Sequence, residues 1–354
     1  TRIQVLIGYY LGRDRRLQRN AIENLGWSMM DTGLTYSRYP SRQTQIIPPF
    51  SLWWAMMLYD QMLYDSERSF GVEAINMAAN AIDGYHRSLI DKTFWHFWDW
   101  VPDWHGGVPP GYGGTMGWCL VETARIAKMK RLSRALFSVA DDIAIQMDEP
   151  DSEEDDDHLD HFREGLEDDF EYEDGLVRHI VDEDWTPSEH TEAMFRQYQM
   201  ILGMEPSPWP YAALERANAA KCTYYFSYYK HLAMQPDDYM AQLGPWKEMI
   251  ESGLSTFAEN PEPVRSDCHA WSAHPALGFF QFIAGVTSVA PAWKRARIAP
   301  KPGSLRRFDA RIAHPDGELR VAYEDGKLTV DTPVPAHFAW QGKTQLLRPG
   351  KHKF

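Results

Sequence analysis

Residues 50–65 read FSLWWAMMLYDQMLYD. Apolar side chains recur there at spacings of three and four residues, which predicts an amphipathic helix over Phe50–Asp65. The same periodicity continues to about residue 288 and predicts ten further helices: Thr1–Leu11, Arg15–Met30, Val72–Ile90, Gly113–Met129, Leu132–Met147, Ser188–Leu202, Ala212–Ala220, Tyr224–Met234, Asp237–Ser252 and Pro275–Ala284.

The connections between these helices alternate between short and long. The long ones, such as 91–112 and 205–211, are rich in Pro, Gly and Trp. This alternation is typical of a ring of helical hairpins whose long loops gather at one face and form a site. Eleven helices are one short of the twelve that close six hairpins, so we expect one more helix before Thr1. The fold class predicted is mainly α, a toroid of helical hairpins.

The sequence changes character around 290–302. Short, partly alternating segments follow, separated by the turn sequences His-Pro-Asp-Gly and Glu-Asp-Gly. They predict a small antiparallel β-sandwich, too small to be very stable alone, which we expect to pack on the helical domain. The predicted domains are therefore 1–290 and 291–354. The predicted strands are Leu305–His314, Glu318–Tyr323, Lys327–Asp331, His337–Trp340 and Thr344–Leu347.

The net charge of −14 comes from one segment. Residues 148–174 hold 16 Asp and Glu against one Arg, and the rest of the chain has 34 acidic and 35 basic residues. A solvated acidic insertion is the favoured interpretation, because the EF-hand spacing that a calcium loop needs is absent. The sequence shows no basic patch typical of nucleic-acid binding and no basic amphipathic face for a membrane.

The three cysteines, Cys119, Cys222 and Cys268, are far apart and form no CxxC pair. Free thiols and a reducing, cytoplasmic location are therefore expected. No run of 18 apolar residues predicts a spanning helix, and the first residues show no signal-peptide pattern. Oligomeric state is left open.

Polar and aromatic residues cluster in four segments: 36–54, 97–107, 187–192 and 255–272. Carboxylates among aromatic rings suit glycoside hydrolysis, in which one acid protonates the leaving oxygen and another activates water or attacks carbon. The alternative is that Asp99 and Glu259 are helix caps or ion-pair partners. Glu189-His190-Thr191-Glu192 resembles a metal motif only superficially, since Ser188 explains part of it as a helix N-cap. No metal site is predicted.

Three of these segments carry a family resemblance. Residues 265–275 (RSDCHAWSAHP), 37–41 (SRYPS) with 47–54 (IPPFSLWW), and 98–102 (WDWVP) resemble the α-L-rhamnosidases of glycoside hydrolase family seventy-eight. Residues 297–300 (RIAP) match the entry to that family's C-terminal β-domain. The resemblance runs from Thr1 to about His337, interrupted by the acidic insertion.

The resemblance implies an (α/α)6 barrel, inverting hydrolysis of terminal α-L-rhamnosides and no cofactor. Glu259 corresponds to the general base and Asp99 to an acid that binds sugar hydroxyls. The other residues that the resemblance places at the sugar are Trp53, Trp54, Trp100 and His269, and more weakly Trp104 and Trp271. The family's general acid precedes the helix that begins at Thr1. The alternatives are a rhamnose-glycan-binding protein without catalysis, or a hydrolase of the same fold acting on another sugar.

Overall fold

The computed structural model describes residues 1–88, 99, 101, 170–179, 187–201, 207–232, 234–261 and 263–354. The chain divides into two compact units. Unit 1 comprises Thr1–Ile22, Asp60–Ser69 and Met234–Phe354, and unit 2 comprises Glu23–Tyr59 and Phe70–Ala233. The domain division predicted from composition, 1–290 and 291–354, stays a prediction.

The described helices are α1 to α10 in chain order: Arg2–Leu11, Arg16–Trp27, Pro48–Tyr64, Ala74–Ser88, Glu189–Ile201, Tyr211–Arg216, Ser227–His231, Pro236–Ala241, Gly244–Glu251 and Pro275–Gly278. A π-helical turn, Phe279–Ile283, continues α10. No helix within these ranges has the length and apolar character needed to cross a membrane. The predicted helices Gly113–Met129 and Leu132–Met147 lie outside the described residues, and the toroid stays a prediction.

Helix α3 is buried on all sides over much of its length. Every residue from Ser51 to Leu58 is buried, as expected for a helix that is hydrophobic around its whole circumference. The pair Pro48–Pro49 opens it, where the missing backbone N–H groups cost nothing. Toward its end, in unit 1, Asp60 accepts hydrogen bonds from the Arg2 guanidinium at 2.7 and 3.1 Å.

One predicted helix is broken in two. Residues 237–252 were expected to form a single helix, but α8 ends at Ala241 and α9 begins at Gly244. Pro245 accounts for the break, because proline has no N–H to donate and its ring clashes with the preceding turn. Proline is tolerated where it lies, in the first turn of α9.

The acidic insertion also needs correcting at its described end. Residues 170–174 were expected to be solvated loop, but Phe170–Glu173 forms β1 and pairs antiparallel with β2, Leu176–His179. Asp174 and Gly175 connect the strands with φ values of 52° and 84°. Such an Asp-Gly pair is typical of a two-residue hairpin turn. Burial of Leu176 and Val177 fixes the hairpin in unit 2.

The C-terminal part is a two-sheet β structure in unit 1. Its strands β3 to β10 are Val286–Ser288, Ala296–Ile298, Arg307–His314, Gly317–Glu324, Lys327–Thr332, Ala336–Trp340, Lys343–Leu347 and Gly350–Lys353. One sheet has the order β10-β7-β6-β5 and is antiparallel, and the other has the order β3-β4-β8-β9 with a parallel β4–β8 pair. The prediction of helices followed by a C-terminal β region is confirmed. The prediction that all strands of this region are antiparallel is wrong for the β4–β8 pair.

Candidate functional site

Glu259 lies in a tightly bonded turn segment of unit 1. Its backbone N–H donates to the Ser266 carbonyl at 2.9 Å, and the His269 N–H donates to the Phe257 carbonyl at 2.8 Å. The Trp271 indole N–H donates to the Glu259 carbonyl at 2.9 Å. These bonds join residues 257–259 to 266–271 and fix the backbone that carries the Glu259 side chain.

The Glu259 carboxylate is buried, with only 5% of the residue exposed. Arg265 donates to both carboxylate oxygens, through Nε at 3.0 Å and through Nη2. The Arg265 side chain is 79% exposed, so it covers the carboxylate from the solvent side. His269 Nδ1 lies 3.9 Å from Glu259 Oε2. The guanidinium charge compensates a carboxylate that would otherwise be costly to bury.

Aromatic rings lie in the same segment as Glu259. The rings of His269 and Trp271 lie 4.7 Å apart at an angle of 60°. The indole N–H of Trp246 donates to the Ser272 carbonyl at 2.8 Å, and the Trp246 ring is 4.8 Å from that of His274. The structure therefore brings together Glu259, His269 and Trp271, three of the residues predicted from the sequence.

Asp99 is fully buried in unit 2. Thr223 donates to it through its backbone N–H at 3.0 Å and its hydroxyl at 2.5 Å. His190 Nε2 lies 2.6 Å from Asp99 Oδ2, and Phe226 packs on the His190 ring at 4.6 Å. Protein groups thus engage both oxygens of the carboxylate that the resemblance assigned to sugar hydroxyls. That assignment stays a prediction.

The segment Glu189–Glu192 is occupied by protein partners as well. The Glu189 carboxylate accepts from Lys230 Nζ at 2.7 Å and from the Cys222 N–H at 2.9 Å. Glu192 pairs with Arg196 and accepts from the Val177 N–H, and burial raises the pKa of the Glu192 carboxyl. In the described part of the chain, no group of three or more His, Cys, Asp or Glu is placed to hold a metal ion.

The two tryptophans of α3 both lie inside unit 2. Trp53 packs on Tyr229, with ring centroids 4.4 Å apart, and Trp54 meets the edge of Phe70 at 6.2 Å. Both are buried. Trp100 and Trp104 lie outside the described residues. The role of all four at a sugar stays a prediction.

Three comparisons with known proteins place the chain among its relatives. Residues 285–339 match the family model of the bacterial alpha-L-rhamnosidase C-terminal domain. A search of curated proteins finds no match. A rhamnosidase of family GH78 from Bacillus sp. GL1 has a similar structure, with a TM-score of 0.64 at 16% identity over 98% of this chain.

Two further rhamnosidases are similar in structure. The enzyme from Dictyoglumus thermophilum gives a TM-score of 0.61 at 14% identity over 95% of this chain. The Streptomyces avermitilis α-L-rhamnosidase complexed with L-rhamnose gives 0.58 at 14% over the whole chain. The predicted resemblance to α-L-rhamnosidases is confirmed. The chain spans 36%, 43% and 37% of the lengths of these three proteins.

Three residues that bond the predicted site residues were assigned no role from the sequence. Arg265 begins the segment RSDCHAWSAHP, and it lies only six residues from Glu259. This short spacing between opposite charges could have indicated an ion pair. His190 and Thr223 were not linked to Asp99, because they lie 91 and 124 residues away in sequence. The helix and strand periodicities of a sequence relate residues a few positions apart and do not predict contacts over such distances.

Proposed function

We propose that this chain carries the water-activating side of a glycosidase site that hydrolyses terminal α-L-rhamnosides with inversion, and that Glu259 is its general base. The proposal assigns the general acid to a position upstream of Thr1, following the resemblance, and places the helices in an (α/α)6 ring. The observation that supports it most is the Glu259 carboxylate itself, which is buried 3.9 Å from the His269 imidazole and bonded by the exposed Arg265.

The geometry is compatible with a base. Each oxygen of a carboxylate has two lone pairs, so one bond from Arg265 to each oxygen leaves room for a second donor. A water held there would give its proton to Glu259 as its oxygen attacks the anomeric carbon from the face opposite the leaving group. Trp271 and His269 would contact the sugar ring through an apolar face and a polar edge.

The test is incubation with an aryl α-L-rhamnoside, following the anomeric proton of the released sugar by NMR. Initial release of β-L-rhamnose supports inversion. Glu259→Gln should lower the release rate by about 10²- to 10⁴-fold, because the amide cannot accept the proton of water. Rhamnose affinity, measured by titration calorimetry, should change little in that variant.

Glu251→Gln is the matched control, since Glu251 is an exposed residue of the same unit at the end of α9. It should leave the release rate unchanged. Release of α-L-rhamnose as the first product, or full activity in Glu259→Gln, would contradict the assignment. Rhamnose binding with no release by the parent chain would instead favour a binding protein without catalysis.

A further inference from the structure

The sheet β3-β4-β8-β9 has one face turned to solvent. Strands β3, β4 and the first half of β8 alternate between buried and accessible residues, with Arg297 exposed between the buried Ala296 and Ile298, and β9 is exposed from Lys343 to Leu346. The register places one accessible residue of each strand in a single row across the sheet: Thr287, Arg297, His337 and Leu346. Arg297 and His337 are exposed, and Leu346 is 55% exposed.

The charged residues of these four strands, Arg297 and Lys343, are both basic. None of the four strands contains Asp or Glu. Arg295 Nη1 lies 3.3 Å from His337 Nε2, so a second guanidinium lies beside the row, and Arg348 directly follows β9. Residues 291–354 hold 13 Lys and Arg against six Asp and Glu, in a chain whose net charge is −14.

The other sheet, β10-β7-β6-β5, provides the contrast. There Asp309 accepts from Arg320 at 2.7 and 2.9 Å and from Arg311 at 3.3 Å. Its hydrogen bonds from Arg320 hold the pKa of Asp309 below its ordinary value. Asp331 is the register partner of both Lys351 and Arg320. Acidic residues therefore accompany the basic ones on that sheet, whereas they are missing from the strands of the first.

We propose that the accessible face of β3-β4-β8-β9 binds an acidic polysaccharide, a chain of sugars that carry carboxylates. Guanidinium groups match carboxylates through two parallel hydrogen bonds. Adjacent strands lie about 4.8 Å apart, so Arg297 and His337 present their polar groups side by side to an extended chain. Leu346 offers an apolar contact for a sugar ring, and the Thr287 hydroxyl a hydrogen-bonding group.

The same observations favour a sugar chain over a nucleic acid. A chain with net charge −14 repels a densely charged polyphosphate at long range. A polysaccharide with one carboxylate per sugar has a lower charge density than duplex DNA, so the net charge of the chain repels it less strongly. No aromatic residue belongs to the exposed row, although base stacking on aromatic rings is the usual way to hold single strands.

The experiment measures binding of the full chain to polygalacturonate by calorimetry or affinity electrophoresis, with neutral dextran and single-stranded DNA as comparison polymers. We expect binding to polygalacturonate at about 50 mM salt, weakened at about 300 mM, because screening shortens the reach of exposed charges. Arg297→Gln should weaken binding about tenfold, since it removes a charge-assisted contact. Arg297→Glu should weaken it further.

Lys353→Gln is the matched control, because it removes one exposed positive charge from β10 of the other sheet. The affinity of Lys353→Gln for polygalacturonate should stay within about twofold of that of the parent chain. Equal losses in Arg297→Gln and Lys353→Gln, absence of binding, or tighter binding to DNA than to polygalacturonate would each overturn the proposal. Polygalacturonate contains no rhamnose, so this result is independent of whether the chain hydrolyses rhamnosides.

Discussion

His314 shows how one buried side chain ties the stability of unit 1 to pH. It is fully buried in β5, where its Nε2 donates to the Trp293 carbonyl at 2.9 Å. Its Nδ1 accepts from the Asp316 N–H at 3.0 Å. An imidazole that donates at one nitrogen and accepts at the other is neutral. Burial is the main cause that lowers the pKa of His314 below 6.5.

The consequence for stability has a definite sign. In the unfolded chain the imidazole binds a proton as the pH falls through about 6.5, while in the folded chain it does so only at lower pH. The contribution of His314 is therefore complete above this value and is lost as the pH falls from 6.5 toward the folded-state pKa. The free energy of unfolding should decrease between pH 7.5 and pH 5.5.

The measurement is urea unfolding at several pH values for the parent chain and for His314→Phe. The variant loses two hydrogen bonds, each contributing about 1 kcal/mol, and should be less stable at every pH. The stability of His314→Phe should also vary less with pH, because the variant lacks the imidazole of His314. All other histidines are present in both proteins and contribute equally to both profiles. Parallel pH profiles in the two proteins would show that His314 is not responsible.

Residues close in sequence were predictable as parts of one site, and distant ones were not. Glu259, His269 and Trp271 lie within one short stretch of the sequence, 259–271, so residues that cluster in the sequence also cluster in space. Asp99 joins two separate segments of unit 2 through Thr223 and His190. Its burial depends on a tertiary arrangement that composition and spacing do not encode.

At the scale of elements, strands with strong alternation were predictable. Lys327–Thr332 matches the predicted Lys327–Asp331 to one residue, because Leu328 and Val330 face inward between polar residues. The strand Gly350–Lys353 was missed, since its sequence GKHK contains no apolar residue to mark a buried face. Its pairing with β7 supplies the order that its own side chains do not indicate.

The turn at Gly285, just before β3, requires a backbone conformation that a mutation can test. Gly285 has a φ of +67°, and a Cβ atom there would lie 2.0 Å from the Ala299 carbonyl oxygen. Gly285→Ala should therefore cost more than the 1 to 2 kcal/mol typical of a left-handed alanine, because the backbone next to β4 must also move. Thermal and urea unfolding measure this loss.

Gly326→Ala is the comparison for that experiment. Gly326 has a φ of +88° in the β6–β7 turn, with nothing within 4 Å of the Cβ position. It should lose only the conformational preference, about 1 kcal/mol. If the free energy of unfolding falls equally in both variants, the close approach of the Ala299 carbonyl contributes nothing to the cost of Gly285→Ala. The positive φ alone would then account for that cost.

At the scale of the whole molecule, unit 1 is assembled from three separate stretches of the chain. Tyr10 of α1 donates its hydroxyl to the Val286 carbonyl at 2.8 Å, and its ring lies 5.1 Å from that of Trp293. The Ser288 hydroxyl donates to the Leu63 carbonyl at 2.8 Å. Helical segments from the first part of the sequence thus contact the start of the C-terminal β structure within unit 1.

Because so small a β structure buries little core of its own, its stability should depend on Tyr10. Tyr10→Ala removes a buried ring and should destabilise unit 1 by about 3 to 5 kcal/mol, and Tyr10→Phe should cost about 1 kcal/mol by removing the hydroxyl alone. Amide hydrogen exchange, followed by mass spectrometry, locates the loss. We expect faster exchange in β3, β4 and β8 in Tyr10→Ala. Faster exchange confined to α1 would mean that the β structure is stable without the helix, and that unit 1 is a contact between independent parts and not one cooperative body.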